Sequence, residues 1–257
     1  GVPAADRLRP PGGRLMRVAP EGWIFIAIAW IIAGALAFIG WWIPFALWLV
    51  VAVWVVAFFR DPIRQGQRGE QYIIAPADGL IVGIIELDEP EFMGARAMRV
   101  SIFMNVFNVH VNRYPSSGVV GYRHYLPGRF GHAGTEKASA ENEQSSIGLT
   151  TPRGKILIRQ IAGLIARRIV TDHQVGTVVQ QGERMGLIRF GARVDIVVPP
   201  DATLLVKDGP KPKAGFTGRA PRDGPPARAG RGAVLTVNVI TLICPAIRSF
   251  SAGAAPR

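Results

Sequence analysis

The sequence predicts a mainly β (α+β) domain behind an N-terminal helical hairpin, and three observations carry that expectation. Residues 22–59 contain no charged side chain, with Glu21 and Arg60 bracketing the run. Beyond residue 70 the texture changes to short Ile- and Val-rich runs, the signature of strands. Those runs are separated by turn formers: Asp78-Gly79, Ser117-Gly118, Pro127-Gly128 and Gln181-Gly182. The chain accordingly divides into a basic lead (1–21), a membrane-associated helical hairpin (22–59), a β domain (60–218) and an irregular tail (219–257).

The uncharged run has 38 residues. As one straight helix it would measure ~57 Å, nearly twice the ~30 Å hydrocarbon core of a bilayer, so a break is expected. Gly40-Trp41-Trp42-Ile43-Pro44 is the natural place: Pro44 lacks an amide donor and the tryptophans suit a membrane interface. The legs are then 22–39 and 45–59, and the shorter leg leaves a re-entrant hairpin open beside a spanning one. Arg7, Arg9, Arg14 and Arg17 precede the run, and Arg60, Arg64 and Arg68 follow it. Basic flanks on both ends place both on the cytoplasmic side. The run is longer than the apolar part of a cleaved signal peptide and lacks the polar stripe of a soluble helix pair.

Strands are expected at 72–74, 80–87, 99–107, 155–161, 164–170 and 193–198. The polar stretch 133–146 is expected as loop with some helix. Residues 219–232, rich in Arg, Pro and Gly without periodicity, have the composition of a disordered segment, and 234–243 is a short apolar run.

The formal net charge is +12 and the pI near 10.9, which favours anionic partners. Nucleic-acid binding rests on that charge alone, and the apolar run argues for anionic lipid instead. Cys244 is the single cysteine, so neither an internal disulfide nor a multi-cysteine metal site can form. The four histidines lack metal-ligand spacing, and no metal is expected. No Gly-rich phosphate loop of either common type is present.

Four segments can carry chemistry: Ala75-Pro76-Ala77-Asp78-Gly79; residues 103–118 with His110, Asn112 and Arg113; Lys137-Ala138-Ser139-Ala140-Glu141-Asn142-Glu143; and Gly186-Leu187-Ile188-Arg189-Phe190-Gly191-Ala192-Arg193-Val194-Asp195. Each has a bland reading. Asp before Gly forms turns, a histidine at a strand end is commonly structural, and Gly-Ala between strands makes a corner.

Together and in this order, they resemble the short bacterial and archaeal type of phosphatidylserine decarboxylase. Ala19-Pro20-Glu21-Gly22-Trp23 and Phe58-Phe59-Arg60-Asp61-Pro62, at the entry and exit of the apolar run, resemble that family's opening. The resemblance runs from about Arg17 to about Gly218. It implies a proenzyme in which a serine hydroxyl attacks the preceding glycine carbonyl. The ester then eliminates, splitting the chain and leaving a pyruvoyl cofactor on the new N-terminus. It also implies a base and an orienting carboxylate at His110 and Asp78, with the pyruvoyl ketone serving as electron sink for decarboxylation and His110 reprotonating the product carbanion. Asn112 and Arg113 are candidates for the lipid phosphate; a structural role for Asn112 stands equally. Some longer members have a second histidine at the place of Arg113. Asn142-Glu143 matches a family Asn-Glu with Gln144 in place of the usual Arg, and a loop-ordering role is expected.

The chain departs from the family at its reacting atom. Where the family has Gly-Ser this sequence has Gly191-Ala192, and alanine has no hydroxyl to start the acyl shift. A single uncleaved chain is therefore expected. An engineered trap, a natural loss and a sequence variant all account for the alanine. The expected partners are phosphatidylserine and anionic membrane lipid, no nucleic acid, and a second copy of the chain in a homodimer. The alternative is a non-catalytic membrane protein binding anionic lipid.

Overall fold

A computed structural model describes residues 16–64, 68–70, 72–128, 142–163, 169–189, 192–208 and 237–243. It is mainly β, with two N-terminal helices. Strand β1 (Met16–Val18) pairs antiparallel with β2 (Arg60–Pro62) and clasps the base of the hairpin between them. Helix α1 (Trp23–Ile39) ends on Gly40, whose φ of 80° is the left-handed conformation that glycine adopts without strain. Helix α2 (Trp42–Phe58) starts three residues earlier than expected. Pro44 falls in its first turn, where the amide it lacks would have no intrahelical partner. The helices meet through Ala29, Ala33 and Ala52, and Trp48 Nε1 donates to the Ala29 carbonyl at 2.8 Å. Small residues at the seam let the backbones approach. The outward faces carry Ile31, Phe38, Ile43, Leu47 and Val50, all exposed. Pro20–Ile39 is long and apolar enough to cross a membrane, whereas Trp42–Phe58 is shorter.

The remaining strands are β3 (Tyr72–Ile73), β4 (Leu80–Glu89), β5 (Ala95–Met104), β6 (Val111–Arg113), β7 (Gly118–Leu126), β8 (Gln144–Thr151), β9 (Gly154–Ala162), β10 (Ile169–Thr171), β11 (Val178–Val179), β12 (Arg184–Ile188), β13 (Ala192–Val198), β14 (Thr203–Asp208) and β15 (Val237–Ile243). A seven-stranded antiparallel sheet runs β11-β7-β8-β9-β13-β5-β4, and smaller sheets run β10-β12-β6 and β14-β15-β3. Period-two alternation sorts the large sheet's faces. In β13, Val194, Ile196 and Val198 enter the main core with Ile102, Ile147 and Ile158, while Arg193 and Asp195 point to the opposite face.

Several expected boundaries move for local reasons. The strand expected over 99–107 ends at Met104, because Asn105 and Asn108 fold an Asx turn in which Asn105 Oδ1 accepts from Phe107 N and Asn108 Oδ1 accepts from Asn105 N. The strand expected over 80–87 continues to Glu89, whose carboxylate accepts from the amides of Phe92 and Met93 and closes the turn into β5. Gln144–Ser146, expected as loop, are strand: Ser145 pairs with Tyr125 and Gln160 on its two sides. Residues 129–141 and 164–168 lie outside the described residues. Within the expected irregular tail, β15 pairs with β14 and β3; the rest of 219–257 lies outside the described residues.

Candidate active site

Met104, the last residue of β5, organises the site. Its backbone lies opposite Ala192 of β13, and Ala192 in turn lies opposite Ala162 of β9. The position of the expected junction is thus held from both sides, with Gly191 itself outside the described residues. Asn142 Nδ2 donates to the Ala162 carbonyl at 2.7 Å, and Ala162 N donates to the Glu143 carbonyl at 2.9 Å. This pins Asn142-Glu143 to the strand beside position 192, an ordering contact. Met104's sulfur receives Asn112 Nδ2 at 3.7 Å, while Asn112 Oδ1 accepts from Gln160 Nε2 at 2.8 Å. Asn112 is fully buried and held within the protein.

Asp78 reaches the same end of the sheet from the other side of β5. Leu80 pairs with Phe103, and a Cβ on Gly79 would stand 2.2 Å from the Phe103 carbonyl oxygen, so only glycine fits that approach. The Pro76 carbonyl accepts from Arg113 N at 2.9 Å, tying this segment to β6. The Asp78 carboxylate accepts a hydrogen bond from Arg64 at 2.6 Å, with both side chains largely buried. No sequence signal pairs Arg64 with Asp78; the contact depends on how the chain leaving α2 crosses the loop before β4.

His110 sits just before β6, its carbonyl accepting from Ile188 N of β12 at 3.4 Å. The ring is fully buried and lies against Phe58, at the end of α2, with centroids 4.2 Å apart. Its Nδ1 faces the Asn108 carbonyl at 3.0 Å. A carbonyl oxygen only accepts, so Nδ1 carries the hydrogen and a neutral ring keeps its lone pair on Nε2. Burial pushes the imidazole down to about 4; the Asn108 hydrogen bond opposes that shift and the charge on Arg60 adds to it. At neutral pH His110 is therefore an unprotonated imidazole.

Arg113, the other expected headgroup contact, donates to Asp61, to the Gly182 carbonyl at 3.0 Å and to the Pro62 carbonyl at 3.2 Å. Its guanidinium is spent on holding β6 to the exit of the hairpin. Among the described residues no group of three His, Cys, Asp or Glu side chains converges as metal ligands.

The segments that carry Asp78, His110, Asn142-Glu143 and Ala192 thus meet around Met104 and Ala162, with the hairpin base packed on His110. Over residues 51–218 the chain matches the family model for phosphatidylserine decarboxylase. The chain belongs to the phosphatidylserine decarboxylase family. Relatives named phosphatidylserine decarboxylase proenzyme include one from Magnetococcus marinus, 47% identical over 203 residues, 78% of this chain and 93% of the relative. One from Geotalea uraniireducens is 45% identical over 201 residues, 78% and 94%. One from Symbiobacterium thermophilum is 42% identical over 208 residues, 80% and 96%. The matched range thus takes in the end of α2 and the β domain, and leaves β15 outside it.

Proposed function

We propose that this chain is a phosphatidylserine decarboxylase proenzyme held before self-processing by Ala192, with its site on the cytoplasmic face of a membrane hairpin. The observation that carries the reading is the buried, neutral His110, two residues before the Asn112 that bonds Met104, whose backbone in turn lies opposite position 192. A neutral imidazole with its lone pair on Nε2 is the group a serine hydroxyl at 192 would need as proton acceptor. The ion-paired Asp78 supplies fixed negative charge at the same end of the sheet. Asn112 and Arg113 act by keeping β6 in register, since their donors are engaged inside the protein.

A pyruvoyl group derived from residue 192 does not fit the chain as it stands. Alanine supplies no oxygen for the ester and no leaving group for the elimination.

The hairpin supports a bilayer surface as the working environment. Each 17-residue helix spans about 26 Å, close to the ~30 Å core, and its outward face is apolar. The loop carrying His110 adds Phe107, 70% exposed, beside Arg60, which donates to the Phe107 carbonyl at 2.8 Å. Phosphatidylserine in that surface is the proposed substrate, anionic lipid the proposed surroundings, and a homodimer the proposed assembly.

The test is Ala192→Ser in the full chain, produced in membranes. Two fragments with a cleavage mass between 191 and 192, and release of carbon dioxide from phosphatidylserine, are expected; the Ala192 chain stays whole and inert. A revertant that remains one chain sinks the proenzyme reading and leaves a non-catalytic lipid-binding protein.

A further inference from the structure

We infer that Arg189 is the cation that receives the phosphodiester of the lipid headgroup, at the junction of the hairpin base and the site. The inference rests on the proposed function for the identity of the lipid, but its geometry stands independently. Four buried or half-buried arginines near the site have anionic partners: Arg64 on Asp78, Arg113 on Asp61, Arg184 on Glu21 and Asp172, Arg193 on Asp195; Arg68 and Arg123 bond carbonyls instead. Arg60 bonds two carbonyls and closes the end of α2. Arg189 has no carboxylate or carbonyl partner among the described residues. Its Nε is buried without a hydrogen-bond partner, and its guanidinium carbon lies over the Phe25 ring at 5.2 Å.

A desolvated N–H left unpaired is unfavourable, and stacking on an aromatic face does not satisfy it. An oxyanion would: the planar Nε–Nη edge presents two parallel donors, matching the two non-bridging oxygens of a phosphodiester. Position fits the same ligand. Arg189 follows Ile188, whose amide bonds the His110 carbonyl. Phe25, under the guanidinium, stacks on Phe59 at 5.4 Å, Phe59 packs on Phe58, and Phe58 packs on His110. The cation and the imidazole therefore stand on one aromatic apron in the first turn of α1 and the last turn of α2. Position 192 is three steps along the chain from Arg189, at most about 11 Å when extended. A lipid phosphate lies on the acyl side of its headgroup. Held at Arg189 by the hairpin base, it leaves the serine end pointing toward 192.

The phosphodiester and the serine carboxylate are both oxyanions that an arginine fork accepts, so the test separates them. The full Ala192 chain, in detergent micelles, is titrated with glycerophosphoserine and with glycerophosphoethanolamine, which keeps the phosphodiester and lacks the carboxylate. Both should bind. Arg189→Gln should weaken both about ten- to hundredfold, the range of one charge-assisted contact, and Arg189→Lys should recover part of the loss. Loss confined to glycerophosphoserine overturns the phosphate assignment in favour of the carboxylate. No binding by the unsubstituted chain, or equal binding by Arg189→Gln with an unchanged thermal midpoint, overturns the site altogether. Headgroup binding through Arg189 in a chain whose Ala192→Ser revertant stays whole would sink the decarboxylase reading alone. A self-cleaving revertant indifferent to Arg189 would sink this inference alone.

Discussion

The two faces of strand β13 treat charge in opposite ways. On the face away from the main core, Arg193 donates to Asp195 at 2.6 Å and to Ser101 at 2.7 Å, and Arg99 approaches Asp195 at 3.7 Å, all fully or nearly fully buried. Every charge there is answered by another within the protein. At the hairpin base, four residues before Arg193 in sequence, Arg189 rests on an aromatic ring without an anion among the described residues, and His110 is held neutral. The closed network fixes the strand; the open one leaves chemistry for a ligand. Burial and residue type alone do not separate these roles, and partner geometry does.

The largest effect is expected at Asp195. Asp195→Ala leaves the Arg193 charge buried without its carboxylate, a loss of about 3–5 kcal/mol; thermal unfolding in a fixed detergent checks it, and a midpoint close to the parent's would mean the network is not structural. Next comes the pH dependence of His110. Its folded value lies below its unfolded one, so the unfolded chain binds more protons between pH 6.5 and about 4. Stability contributed by the neutral ring is full above pH 6.5 and declines as pH falls toward 4, by about 3 kcal/mol. His110→Gln should flatten that part of the stability curve relative to the parent; an unchanged slope would show the ring is not buried neutral. Glu89→Ala, which strips two turn amides of their acceptor, should cost about 1–2 kcal/mol and marks the scale of a local turn. Smallest is Arg189→Gln, expected within about 1 kcal/mol of the parent because only the stacking on Phe25 is lost. A large destabilisation would move Arg189 into the same class as Arg193.

Much of the architecture is legible along the chain because its signals are local. An uncharged run bracketed by arginines, a Gly-Trp-Trp break and Ile/Val runs closed by turn dipeptides each act over a few residues. Helix α2 begins at Trp42 rather than 45 because a proline in a first turn costs no hydrogen bond, a distinction that composition does not carry. The strand over Gln144–Ser146 was hidden for a different reason: its polar side chains match no apolar pattern, and its partners, Tyr125 and Gln160, are remote in sequence.

The site divides along the same line. Residue types at 78, 110, 112, 113, 191 and 192 pointed to a chemistry through resemblance, and the alanine at 192 is a fact of the sequence that no fold can alter. That Asp78 meets Arg64, that Arg113 is occupied by Asp61, and that Arg189 meets the Phe25 ring and no carboxylate among the described residues were decided only when distant segments packed. Side-chain pairing across sheets and a helix base depends on three-dimensional neighbours, and a linear chain encodes those only through the whole fold.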